Sequence, residues 1–165
     1  MAAVPVLPDG ITEVGVYYMD KSGAWTAILP ETALSKHSGI SMGEEKIGST
    51  KGHIAGVRAA VGTTFPVTLA IYVPEGRTIA DYRLLRLQVK SSEREFPITS
   101  SKVNKDSNDL DKNAISFSSE KIAPRVYQVV LSKSLGKAEY AILPPKPRDA
   151  PEGNTMKIYC LSVRE

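Results

Sequence analysis

Val67-Thr-Leu-Ala-Ile-Tyr-Val73 sends Val67, Leu69, Ile71 and Val73 to one side and Thr68, Ala70 and Tyr72 to the other. Successive strand side chains point to opposite faces, so this period of two marks a strand with one buried face. Pro66 precedes the run and Pro74-Glu-Gly76 ends it, and residues of that kind stop a β-ladder. With Val67, Leu69, Ile71 and Val73 in a core, Tyr72 points outward.

The same period recurs on both sides. Val14, Val16 and Tyr18 alternate with Gly15 and Tyr17, Asp20-Lys-Ser-Gly23 is turn chemistry, and Ala24 to Leu29 resumes the pattern around Trp25. Together they predict a β-hairpin closed by Pro30. Leu85, Leu87 and Val89 predict a strand, with Arg94-Glu-Phe-Pro-Ile98 as its hairpin partner. Strands are also expected at His53 to Gly62, with Ala55, Val57, Ala59 and Val61 on one face, around Ile115 and Phe117, at Tyr127 to Leu131, at 138–143 and at 155–163. Residues 31–34 read as one helical turn and 77–82 as a bridging turn. The stretches 38–52, 100–113 and 144–153, rich in Gly, Ser, charge or Pro, read as surface loops. About eight to ten short strands with turn signals between them give an all-β, antiparallel class, a β-sandwich in preference to a barrel or α/β fold. Residues 1–11 form an extended lead-in, and 12–165 a single domain.

Composition narrows function by exclusion. The chain has 165 residues, 42% of them apolar, which suffices for a core without disulfide or metal. The net charge is +3 and no dense basic stripe occurs, so nucleic-acid binding is not expected. Cys160 is the only cysteine, and in Met156-Lys-Ile-Tyr-Cys-Leu-Ser-Val163 it reads as a small buried hydrophobe. The N-terminus lacks the basic and apolar regions of a signal peptide, and no run approaches the ~20 apolar residues of a membrane span.

Leu135-Gly-Lys-Ala-Glu-Tyr140 resembles the tyrosine corner of immunoglobulin-like domains, with Lys137 and Ala138 where that motif has proline and glycine. The resemblance implies an immunoglobulin-like sandwich in which Tyr140 returns its hydroxyl to upstream backbone. Gly15-Val-Tyr-Tyr18 with Trp25, and Glu139-Tyr-Ala-Ile-Leu143 with Lys157-Ile-Tyr159, are similar to uncharacterised bacterial β-sandwich proteins, often exported. That similarity implies a cell-envelope setting and transfers no catalytic residue.

No enzymatic constellation is legible. His37 and His53 are the only histidines, and with Cys160 they lack the short ligand spacing of a zinc site, so neither metal nor cofactor is expected. Asp106-Ser-Asn-Asp-Leu-Asp111 lacks the glycine and the distal glutamate of a calcium loop. Glu93 and Glu95 form a carboxylate pair, but sequence proximity does not make a catalytic cleft. No Gly-x-Ser-x-Gly elbow or phosphate-binding glycine loop occurs. The expectation is a non-catalytic interaction or structural module with another protein as partner. Recognition is expected through a sheet face or through the loops at 38–52, 100–113 and 144–153, and the binding residues are assigned as Tyr72, Tyr82, Arg86 and Arg94, where Arg83 and Lys90 add charge. A sandwich binding sugar or another small ligand through Trp25 and tyrosines is the alternative, and a hydrolase built on His37 or His53 the third reading.

Overall fold

The computed structural model describes residues 6–42, 45–102, 105–146 and 154–164. The chain is all-β, with antiparallel sheets. In order the strands are β1 (Gly15–Met19), β2 (Trp25–Ala27), β3 (Glu31–Met42), β4 (Glu45–Ala55), β5 (Gly62–Thr63), β6 (Val67–Tyr72), β7 (Arg83–Val89), β8 (Glu93–Lys102) and β9 (Lys105–Asn108). A short helix α1 (Asp109–Asn113) leads to β10 (Ser119–Ala123), β11 (Val126–Leu131), β12 (Ala138–Leu143) and β13 (Thr155–Val163).

One sheet runs β10–β11–β6–β1–β2, every pair antiparallel. The other runs β12–β7–β8–β4–β3–β13, and β13 pairs back onto β12, so six strands close into a ring. β5 adds to β13 as a parallel pair and β9 adds to β8.

Two apolar clusters follow from this arrangement. Val16, Val67, Leu69, Ile71, Val129 and Leu131 of the five-stranded sheet pack on Leu84, Tyr140, Ile142, Leu161 and Val163 of the ring's outer wall. Leu85, Leu87, Phe96, Ala141, Ile158 and Cys160 fill the ring's interior. β7, β12 and β13 are therefore apolar on both faces, which explains the continuous runs Leu84-Leu85 and Tyr140-Ala-Ile-Leu143. Burial pushes the Cys160 thiol well above its ordinary pKa, with Glu31 adding to the shift, so the group stays neutral and unreactive.

The 15–29 hairpin forms as the sequence predicts. Its Asp20 carboxylate accepts from the Ser22 hydroxyl, the Ala24 amide and the Thr26 hydroxyl, which lowers its pKa to about 2. Tyr140 also sits as expected. Its hydroxyl lies 2.7 Å from the Leu135 carbonyl and 2.6 Å from that of Gly136, while the ring is fully buried. Tyr140→Phe strips these carbonyls of their donor and is expected to lower stability by about 1–3 kcal/mol in urea denaturation, leaving far-UV circular dichroism unchanged.

Several segments depart from the reading. Residues 31–34 are not a helical turn: Glu31 to Leu34 pair with Ile158 to Thr155. Of the loop expected at 38–52, residues 38–42 and 45–52 instead continue β3 and β4 as a long antiparallel pair, and 43–44 lie outside the described residues. Gly39 and Gly48 face each other there, and a Cβ would lie 2.4 Å from the Ile47 carbonyl oxygen or 2.6 Å from that of Ser38. These glycines permit close strand approach rather than a turn. Of the strand expected over His53 to Gly62, His53 to Ala55 lie in β4, which stops there because Gly56 adopts φ +86° and turns the chain. Residues 100–113 contain the end of β8, β9 and α1. Ile115 makes a single bridge to Leu84, and the strand follows at β10 instead. The loop expected at 144–153 falls mostly on residues 147–153, outside the described residues.

Candidate functional site

β3 pairs with β13 only over Glu31–Leu34, and the Ser35 amide then donates to the Asn154 carbonyl at 2.6 Å. From Lys36 to Met42 its one neighbour among the described residues is β4. β8 and β9 extend the same surface on the far side of β4, so β3, β4, β8 and β9 form a four-stranded arm that, among the described residues, ends in edges at β3 and β9. The Ser35 amide points away from β4. Strand alternation therefore turns the amides of His37, Gly39 and Ser41 outward and those of Lys36, Ser38 and Ile40 toward β4.

Exposed sheet edges invite pairing, and proteins blunt them with charge or brevity. β10 carries Glu120 and Lys121, β9 carries Lys105 and Asp106, and β2 and β5 span three and two residues. The run Lys36-His-Ser-Gly-Ile-Ser-Met42 carries one formal charge over seven residues. It is the least protected edge among the described residues. A shallow depression of about 460 Å³, bordered by Ser38, Gly39, Gly48, Ser49 and Ser100, lies on the same arm.

The four residues assigned to a binding face are scattered. Tyr82 is buried, 5% exposed, with its hydroxyl pKa raised to about 12 by burial first and then by Tyr159 and Asp81. Arg94 is fully buried inside the ring, where its guanidinium donates to Glu31 at 2.6 Å and to the Gly56 and Ala55 carbonyls at 2.8 and 2.9 Å. Burial is the largest influence and opposes this charge, but the Glu31 hydrogen bond and the neighbouring acidic groups, Glu31 and Glu139 among them, together outweigh it and keep the pKa raised. The expected surface placement of Tyr82 and Arg94 is thus corrected. Arg94 shares strand parity with Phe96, whose ring also points inward.

Arg86 is exposed on β7, with its guanidinium 3.4 Å from the Leu135 carbonyl. Tyr72 is half-buried on the outer face of the five-stranded sheet, under the Arg125 guanidinium at 5.3 Å. Trp25 is half-buried too. Leu7, Ile11 and Tyr17 pack in the same cluster, so the indole and Tyr72 form no open stacking platform.

The histidines also separate. His37 Nδ1 lies 3.0 Å from Thr50 Oγ1 on the arm. His53 is opposite Glu95 in the β4–β8 register, and Glu93 stands two residues along on the same face. Its Nδ1 is 2.8 Å from Glu93 Oε1 and 3.7 Å from Glu95 Oε2. Lys51 and Lys90 approach the other Glu95 oxygen, at 3.4 and 3.6 Å. Sequence spacing does not reveal this trio, because His53 and Glu93 are forty positions apart and only the strand register joins them. The alternation that puts Phe96 inside is the one sequence signal that puts Glu93 and Glu95 outside together.

Among the described residues no helix is long and apolar enough to cross a membrane. Comparison with protein-family profiles, with curated proteins and with solved structures finds no match to this chain.

Proposed function

We propose that the chain is a non-catalytic protein-interaction module, an elaborated immunoglobulin-like β-sandwich that takes an extended segment of a partner protein as an added strand along β3. The edge from Lys36 to Met42 carries the reading: the ring pairs β3 on both sides up to Ser35, and beyond it β4 is its one neighbour among the described residues. In strand addition, backbone hydrogen bonds supply affinity and pockets beside the edge select side chains. The depression at Ser38 and Gly39 offers such space. The Tyr140 corner and the apolar core shared by two sheets support the immunoglobulin-like assignment.

The test is a display library of extended peptides selected on the purified protein. His37→Pro removes an outward amide and spares the β3–β4 ladder, whereas Tyr72→Ala changes a residue remote from the edge. Selected peptides should lose about tenfold in affinity on His37→Pro, the scale of one backbone hydrogen bond, and bind Tyr72→Ala as they bind the parent protein. Peptides that bind His37→Pro undiminished contradict strand addition at β3. Concentration-dependent dimerisation abolished by His37→Pro would replace the foreign partner with a second copy of the chain.

A further inference from the structure

The geometry points to a zinc site formed by His53 Nδ1, a Glu93 carboxylate oxygen and Glu95 Oε2 on the outer face of β4 and β8. These three residues are the one group of potential metal ligands brought together among the described residues, with donor atoms all within 4.8 Å of one another. Zinc bonds to imidazole nitrogen and carboxylate oxygen are about 2.0–2.2 Å long, which sets tetrahedral donors about 3.4 Å apart. The observed separations of 2.8 and 3.7 Å from Nδ1 bracket that value and the third lies within 4.8 Å, so an ion fits once the carboxylate side chains adjust.

The backbone sets this arrangement up. His53 and Glu95 are direct cross-strand partners, and Glu93 is the diagonal neighbour on the same face. Their strands lie in the middle of the sheet, flanked by β3 and β7, so the ligands are anchored rather than carried on a loop. Glu95 is only 7% exposed at its side chain and His53 17%, which excludes much of the competing water. The donor chemistry selects the metal: one imidazole with two carboxylates suits zinc, whereas magnesium and calcium prefer oxygen ligands alone. Three protein ligands leave a fourth position for water or a side chain from a partner.

Lys51 and Lys90 define how the site is regulated. Both ammonium groups sit on Glu95 Oε1, the oxygen not aimed at His53, and their side chains are 43% and 53% exposed. They balance the two carboxylates without the metal and can move into solvent when it binds. Their positive charge opposes a dication, so removing one strengthens binding.

Isothermal titration of the full chain with zinc chloride at neutral pH tests this. The expected result is one zinc per chain with a micromolar dissociation constant, weakened about tenfold or more in His53→Ala and in Glu93→Gln, since each removes a ligand. Lys51→Ala should tighten binding several-fold, and His37→Ala should leave it unchanged. The Lys51→Ala readout holds even if a ligand variant folds poorly, because a gain of affinity cannot arise from unfolding of the site. Binding weaker than millimolar, binding lost on His37→Ala but kept on His53→Ala, or an affinity indifferent to Lys51 would each overturn the assignment.

Discussion

Arg94→Ala is expected to lower the stability of the chain by about 3–5 kcal/mol, measured as the shift in urea midpoint at constant slope. The arginine is wholly buried, and its guanidinium holds together three separate pieces of chain: Glu31 at the start of β3, the Ala55–Gly56 turn that ends β4, and β8 itself. Truncation leaves the Glu31 carboxylate without its cation and two backbone carbonyls without a donor, and it opens a cavity inside the ring. Such a loss is a large part of the 5–15 kcal/mol that typically separates folded from unfolded states. Arg94→Lys keeps the charge but cannot span Glu31 and both carbonyls, so an intermediate loss is expected. Glu31→Ala should also be costly, because it strands the arginine charge in the interior. A loss below about 1 kcal/mol for Arg94→Ala, the scale of an exposed ion pair, would show that the interior network does not organise this end of the ring.

Gly52→Ala is the second large effect. Gly52 faces Phe96 across the β4–β8 pair, and a Cβ there would lie 2.2 Å from the ring's Cζ and 2.5 Å from its Cε1. Phe96 is 1% exposed and packed in the ring's interior, so it has no open space to enter. Overpacking of this kind costs about 1–3 kcal/mol, and here the clash falls on a rigid aromatic ring in a filled core, which places the expectation at the upper end. Phe96→Leu alone loses ring contacts over the glycine. In Gly52→Ala with Phe96→Leu the two losses should fall short of additive, because the smaller side chain makes room for the methyl. Additive losses in urea denaturation would show that Gly52 is required for a reason other than the ring.

Sequence pattern made the two-sided strands and the first hairpin readable. β12 and β13 occupy the stretches 138–143 and 155–163 assigned to them, since long apolar runs bounded by polar turns leave few alternatives. The β3–β4 arm was illegible for a specific reason. Lys36 to Gly39 face solvent and 47–51 are only half-buried, so no clean alternation marks them, and Gly39, Gly48 and several serines imitate a loop. Arg94-Glu-Phe-Pro-Ile98 held more information than its charge suggested. Arg94 shares parity with Phe96 and Ile98, which places it with the apolar face, while Glu93 and Glu95 take the other. The trio His53, Glu93 and Glu95 needed the register between two strands, a long-range property that local pattern does not contain.

Amide hydrogen exchange of the free protein, resolved residue by residue along β3, tests the central claim without a partner in hand. An open edge predicts alternation: Ser35 protected by Asn154, Lys36, Ser38 and Ile40 protected by β4, and His37, Gly39 and Ser41 exchanging rapidly. Uniform protection from Lys36 to Ser41 would mean that the edge is already covered, and it would contradict β3 as the surface on which a partner strand is received.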